Sequence, residues 1–178
     1  MNLKFEELKK LGAGEFEHLN GSLIEHLDAT YNLLKEWGAS EWLCDAGLYH
    51  AAYGTDGFDS SVVELSHRNM IARIIGQSAE EIVYLYCACD RSFVFSDFNA
   101  GEPINFRNRF TMREFSLTNE QAMNFCELTV ANELELVLAS DEFKQKHGRG
   151  LFDLFTKMAP LLGEVANKSV NDLLSPDV

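Results

Sequence analysis

Apolar residues recur at every third or fourth position along most of this chain, which is the spacing of amphipathic helices. The first such run extends over Phe16 to Trp37 and is followed by Gly38, a residue type common just after a helix C-terminus. A second run covers Glu41 to about Ala52, after Ser40 at the N-cap position. The pattern predicts two consecutive helices joined by a short turn, the second of which ends in a glycine-punctuated loop.

Further helices are predicted by capping signals and by the same period. Helix three is expected to begin near Ser66 or Arg68 and to end at Gly76, and a capping box of Ser78 with Glu81 opens helix four. The later helices are expected from Asn119 to about Ala139, after a capping box of Thr118 with Gln121, and from Leu151 to about Leu174.

The segment 92–117 loses the helical period and is rich in Phe, Asn and Arg. It is interpreted as a long ordered loop, within which a short hairpin is considered. The fold class is therefore all-α. With 178 residues, 46% of them hydrophobic, and no linker-like stretch, the chain is expected to form a single domain over 1–178.

Composition and charge narrow the function classes. A formal net charge of -13 would repel nucleic acid and an anionic membrane surface, and no run of apolar residues is long enough to span a bilayer. We therefore expect a cytoplasmic protein that binds neither nucleic acid nor membrane. The four cysteines, which lack metal-binding or disulfide-scaffold spacing, are expected to be reduced and mostly buried: Cys44, Cys87, Cys89 and Cys126.

Three polar residues are placed on apolar helix faces. His26 lies beside Leu23 and Leu27, His50 follows the small residue Gly47 by one turn, and Asp90 is placed at the end of helix four. Each could be an ordinary core residue, and Asp90 could pair with a neighbouring arginine. Two imidazoles and one carboxylate together suit one Fe, Mn or Zn ion with open coordination positions.

The same residues carry a resemblance. The span from His26 to His50, ending "AGLYH", resembles the opening of the His-Asp (HD) metal-dependent phosphohydrolase superfamily, in which a later lone aspartate would correspond to Asp90. The strings "HLDATYNLLKEWG", "AGLYHAAYGT" and "ANELEL" resemble an uncharacterised HD-like family of about this length. The resemblance implies an HD-like helical bundle and a metal site on His26, His50 and Asp90.

Ala51 departs from the HD pattern, because an aspartate is expected directly after the second histidine. Three matched ligands imply one metal ion at most. The candidates for completing the site are polar residues elsewhere in the first half of the chain, namely His18, Asp56, Asp59 and His67.

Further residues are candidates for binding the substrate and for transferring protons. The expected ligand is a small anionic metabolite, held by the arginines of the middle section and by polar neighbours of the site, namely Arg68, Arg91, Arg109, Thr55 and Asn132. Tyr49, Tyr53 and His67 are the candidate catalytic groups. Surface ion pairs for the arginines and simple packing for Tyr49 are the structural alternatives.

Three function classes stay open on this sequence. The first is a metal-dependent hydrolase of a small phosphorylated or anionic metabolite. The second is an iron-dependent oxygenase, and the third is a non-catalytic binding protein that has lost the full metal site. A homodimer is also considered, since an acidic helical protein with many aromatic residues often has an exposed apolar face.

Overall fold

The computed structural model describes residues 3–15, 17–18, 21–58, 60–96, 98–99 and 101–175. This part of the chain is mostly helical, which confirms the predicted all-α class as far as helical content is concerned. The α-helices, in chain order, are α1 (Leu3–Lys10), α2 (Leu23–Glu36), α3 (Glu41–Tyr49), α4 (Arg68–Ile75), α5 (Gln77–Cys87), α6 (Arg91–Ser96), α7 (Asn119–Ala139), α8 (Asp141–Met158) and α9 (Glu164–Leu174). The strands form two small antiparallel hairpins, β1 (Glu17–His18) with β2 (Gly21–Ser22) and β3 (Asn105–Asn108) with β4 (Arg113–Ser116).

Two compact units divide the chain, Met1–Cys89 and Asp90–Val178. In the first unit, α3 packs against α2 and α5, and α4 packs against α5. In the second unit, α7, α8 and α9 pack against one another, and α6 packs on β3. The single-domain organisation inferred from the sequence stays a prediction.

The first long helix begins later than its hydrophobic period indicates. Helix α2 begins at Leu23 because Ser22 accepts a hydrogen bond from the Glu25 N–H while the Glu25 carboxylate accepts one from the Ser22 N–H. The predicted start at Phe16 lies outside the described residues, and positions 17–18 and 21–22 are strand. The capping box is thus a better marker of this helix start than periodicity.

A close approach of two helices is permitted by Gly47 on α3. A Cβ built on Gly47 would lie 2.6 Å from Leu34 Cδ1 and 3.6 Å from Thr30 Cγ2, both on α2. Leu34 and Thr30 are completely buried. A Cβ at this position would therefore force the Leu34 side chain to shift, whereas the nearest backbone atom of α2, the Thr30 oxygen, would lie at an ordinary contact distance of 3.7 Å.

Helices α4 and α5 meet at Gly76, whose φ of 89° lies in the region favoured by glycine. The predicted end of helix three at Gly76 is confirmed. The predicted capping box of Ser78 with Glu81 is wrong: α5 begins at Gln77, which places Ser78 inside the first turn, with no side-chain cap at Gly76.

The segment 92–117 contains more regular structure than the sequence suggested. Its first residues belong to α6, and β3 pairs with β4 in the register Asn105↔Ser116 to Asn108↔Arg113. The short hairpin considered within this loop is therefore confirmed, whereas the helix at its start was not predicted. The Asn108 side chain closes the hairpin loop by accepting hydrogen bonds from the Phe110 and Thr111 N–H groups.

The predicted bounds of the first C-terminal helix are confirmed, whereas those of the second are wrong. Helix α7 has the predicted bounds, and both hydrogen bonds of the Thr118–Gln121 capping box are present. The helix expected from Leu151 to Leu174 is instead the pair α8 and α9, because Ser140 caps α8 well before Leu151. Gly148, which reads as a breaker, sits inside α8, and a Cβ there would contact Leu174 of α9 at 3.4 Å.

The cysteines follow the expectation: Cys44, Cys87, Cys89 and Cys126 are all free and buried. None of the described helices combines the length and the apolar character that a membrane span requires.

Candidate functional site

Two buried imidazoles face each other in the first unit. His26 on α2 and His50 directly after α3 have their Nε2 atoms 3.3 Å apart, and the ring planes are nearly perpendicular at 82°. Both side chains are within the core, with relative exposures of 5% and 2%. The sequence placed both histidines on inward faces, and the structure brings them together.

The ring of His50 is oriented by its own helix end. His50 Nδ1 lies 2.7 Å from the Gly47 carbonyl oxygen, which can only accept a hydrogen bond. The Nδ1 atom therefore carries the hydrogen, and in the neutral ring Nε2 presents its lone pair toward His26. A ring nitrogen tied to a backbone carbonyl while the other is directed at a shared point is the usual arrangement of a metal-ligating histidine.

Helix α5 holds the turn that contains His50. The Tyr86 ring packs edge-on against His50 with centroids 5.4 Å apart, and the Cys87 thiol donates to the His50 carbonyl oxygen at 3.1 Å. Ala51, in the position where the HD pattern expects an aspartate, is buried with 3% exposure. The structure therefore has a buried methyl group at that position, directly after His50 in the chain.

Asp90 occupies a different local setting from the one predicted. Helix α5 ends at Cys87, so Asp90 is not on an apolar face of that helix but precedes α6. Its carboxylate accepts hydrogen bonds from the Phe93 N–H at 3.1 Å and the Ser92 hydroxyl at 2.8 Å, and Arg107 lies 3.5 Å away. These donors hold the pKa of Asp90 below its usual value, the Phe93 N–H contributing most. A role for Asp90 as a metal ligand stays a prediction.

Arg68 and Tyr53, candidate substrate and catalytic residues, both contact the buried carboxylate of Glu80. Arg68 donates from Nε at 2.6 Å and from a terminal nitrogen at 2.8 Å, and the Tyr53 hydroxyl donates at 2.9 Å. The Arg68 guanidinium also stacks on Tyr84 at 3.6 Å. Burial raises the pKa of Tyr53, and the Glu80 carboxylate raises it further. This cluster fastens α4 and the turn after α3 to α5.

Tyr49, another candidate catalytic residue, is the last residue of α3 and contacts α1. Its hydroxyl donates to the Lys4 carbonyl oxygen at 2.6 Å, and burial raises its pKa. Beside it, the buried carboxylate of Asp45 pairs with the Lys4 ammonium. The two contacts attach α1 to α3.

In the second unit, Arg91 and Asn132 converge on one carboxylate. Arg91 donates to Glu133 at 3.0 Å, and the Asn132 side-chain amide donates to the same oxygen at 3.1 Å. Asn132 is buried, as the sequence suggested for an inward polar residue. The cluster joins α6 to α7.

The other sequence candidates lie in varied settings. Thr55 is buried in a small bridge with Phe58, Arg109 stacks on Phe110 at 4.5 Å, and His67 and Asp56 are exposed. The side chain of His18 and the whole of Asp59 lie outside the described residues. Within the described ranges, no three histidine, cysteine, aspartate or glutamate side chains group as a ready metal site.

Two buried acids were missed by sequence reasoning, Glu80 and Asp45. Glu80 carried a usable signal, because it lies one turn before Val83 and two turns before Cys87 on the inward face of α5. Asp45 carried the same signal, because it lies one turn before Leu48 and Tyr49 on the inward face of α3.

Comparison with known proteins gives one similarity. A family model described as a domain of unknown function (DUF6817) matches residues 7–91. No curated protein and no solved structure matches the chain significantly. The matched segment includes His26 and His50 and reaches Arg91, so the histidine pair lies in the part of the chain that is similar to this family.

Proposed function

We propose that this protein is an HD-like metal-dependent hydrolase of a small phosphorylated or otherwise anionic metabolite, with one metal ion held by His26 and His50. The observation that carries the proposal is the 3.3 Å separation of the two Nε2 atoms. Two nitrogen ligands at about 2.0–2.1 Å from a tetrahedral ion are themselves about 3.3 Å apart. The pair is therefore spaced as two ligands of one ion would be.

The chemistry of the donors supports the same assignment. Imidazole is a ligand for Fe, Mn and Zn, and the Gly47 carbonyl leaves Nε2 of His50 as the donor atom. A bound metal ion would supply a water of lowered pKa as nucleophile. The chain's own part is to hold that ion between α2 and α3, in a core that excludes other water. The HD-like fold is supported by two histidines on consecutive helices that meet in the core, as the resemblance implies.

A non-catalytic binding protein is the second candidate, and Ala51 favours it. A buried methyl group replaces the carboxylate that the HD pattern expects there. With fewer ligands, metal affinity is expected to be lower than in a complete site. The hydrolase and the binding protein are distinguished by whether the protein retains metal and whether that metal supports turnover.

The metal content of the purified protein tests the proposal. Protein prepared without chelator and reconstituted anaerobically is expected to carry about one equivalent or less of Fe, Mn or Zn by elemental analysis. His26→Ala and His50→Ala should each lower this content at least several-fold, whereas Ala51→Asp should raise it. His147→Ala, which removes an exposed imidazole from α8, is the matched control and should retain the wild-type content.

Activity assays then distinguish the classes. Release of inorganic phosphate from small phosphomonoesters that requires metal and is lost in His50→Ala would support the hydrolase. Turnover that requires both ferrous iron and O2 would indicate an oxygenase instead. Wild-type protein that stays metal-free after reconstitution, with His50→Ala changing thermal stability alone, would contradict the metal site and leave the binding protein.

A further inference from the structure

We infer that the second unit binds a free α-amino acid with an apolar side chain. The site is a cavity of about 160 Å³ formed by the loop before β3, the start of α7 and the end of α8. It lies wholly within residues 90–178 and does not rest on the proposed metal site.

The walls of the cavity are apolar and built by three parts of the unit. The apolar lining residues include Phe98, Ile104, Leu117, Ala122 and Leu161. Ile104 and Leu117 are joined by a backbone hydrogen bond of 3.0 Å that extends the hairpin, and Ala122 projects from the first turn of α7. An engineered apolar cavity of about 150 Å³ accommodates benzene. This cavity therefore has room for one aromatic ring or a branched aliphatic side chain.

The rim carries one cation and one anion. Lys157 near the end of α8 and Glu102 in the loop before β3 line the cavity with exposed side chains. Within the described part of the chain, neither side chain makes an ion pair or a hydrogen bond. Both charges are thus available to a molecule that enters the cavity.

The pair of charges selects the ligand class. A simple carboxylate would be attracted by Lys157 and repelled by Glu102, and a simple amine would meet the reverse. A zwitterion with a carboxylate toward Lys157 and an ammonium toward Glu102 satisfies both. Asn119, the first residue of the 21-residue α7, also lines the rim, so the positive end of a long helix favours the carboxylate there.

The binding experiment uses L-phenylalanine as the probe and the full-length chain, isotope-labelled for amide chemical shifts. Saturable shifts are expected at the cavity residues. 3-Phenylpropionate, which lacks the ammonium, and 2-phenylethylamine, which lacks the carboxylate, should each bind at least tenfold more weakly. Equal affinity for either analogue would overturn the zwitterion assignment, and the absence of saturable shifts would overturn the site.

Variants connect the binding to the named residues. Lys157→Met and Glu102→Gln should each raise the Kd at least fivefold, and Ala122→Leu should abolish binding by filling the cavity. Lys146→Met, which removes another exposed lysine of α8, should leave the Kd unchanged. Because Lys157 and Glu102 are exposed, their variants decide the matter even where Ala122→Leu does not fold. An unchanged Kd in both would overturn the proposal.

Discussion

A carboxylate at residue 127 illustrates how one side chain can lower the stability of an otherwise well-packed unit. Glu127 lies on α7, partly buried, with one carboxylate oxygen near Gly163 at the start of α9. In the described part of the chain it makes no side-chain hydrogen bond or ion pair. Burial raises the pKa of Glu127, because removal from water disfavours its charged form.

The sign of the pH effect follows from this raised pKa. Between the unfolded value of about 4.3 and the higher folded value, the native state binds more protons than the unfolded state. The contribution of Glu127 to the free energy of unfolding therefore falls as the pH rises through that interval. At neutral pH the ionised carboxylate is destabilising.

Glu127→Gln is accordingly expected to stabilise the protein at pH 7 by about 0.5–1 kcal/mol. The difference from wild type should vanish below about pH 4, where the Glu127 carboxyl is protonated in both the folded and the unfolded state. Urea unfolding at a series of pH values measures both. Glu127→Asp, which keeps a titrating group, is the control and should retain the pH dependence; a Gln variant that is less stable at pH 7 would contradict the prediction.

The residues that meet in the candidate site were predictable only in part. His26 and His50 could be placed inward because helical periodicity fixes which side chains share a face. The local setting of Asp90 could not be predicted, since it depends on where α5 ends, and Ala88 and Cys89 continue the apolar pattern past that end. The partners of Arg68 and Arg91, by contrast, depend on tertiary contacts that no local pattern encodes.

At the scale of the elements, side-chain caps mark the starts of α2, α7 and α8. Where Thr118 and Gln121 cap reciprocally, the sequence predicted α7 residue for residue. Where a capping motif falls one residue inside the helix, as at Ser78, or where a glycine such as Gly148 lies within a helix and faces a neighbouring one, the boundary was missed. Short patterns cannot distinguish a glycine that ends a helix from one that admits a neighbouring helix.

Gly47 is a glycine of the second kind, because it lies within α3 and leaves room for the Leu34 side chain of α2. Gly47→Ala would place its Cβ 2.6 Å from Leu34 Cδ1 in a fully buried region. Overpacking costs about 1–3 kcal/mol, while alanine recovers up to about 1 kcal/mol of helix propensity. The net expectation is a loss of about 1 kcal/mol in the free energy of unfolding, measured by chemical denaturation.

A double-mutant cycle separates the cost of overpacking against Leu34 from the gain in helix propensity. Leu34→Ala alone is expected to cost about 2–5 kcal/mol because it opens a cavity. In that background the clash is absent, so Gly47→Ala should be neutral or stabilising. Equal costs of Gly47→Ala in both backgrounds would show that the Leu34 contact is not the cause.

At the scale of the whole molecule, the open issue is whether the chain unfolds as one domain. A chain of 178 residues is within the size of a single domain, yet each compact unit contains buried helices of its own. Cooperative unfolding of the whole chain is what the single-domain prediction requires. The two tryptophans, Trp37 and Trp42, both belong to the first unit, whereas helical circular dichroism arises from both units. The two signals can therefore be compared within one sample.

Phe155→Ala truncates a side chain that belongs to the second unit and is fully buried on α8. Truncation of a buried phenylalanine costs about 3–5 kcal/mol. If the chain is one domain, tryptophan fluorescence and circular dichroism should give coincident denaturant transitions, and Phe155→Ala should lower both midpoints equally. Leu27→Ala, a buried truncation in the first unit, should do the same. An unchanged fluorescence midpoint in Phe155→Ala, together with a biphasic circular dichroism curve, would instead establish two independently folding domains.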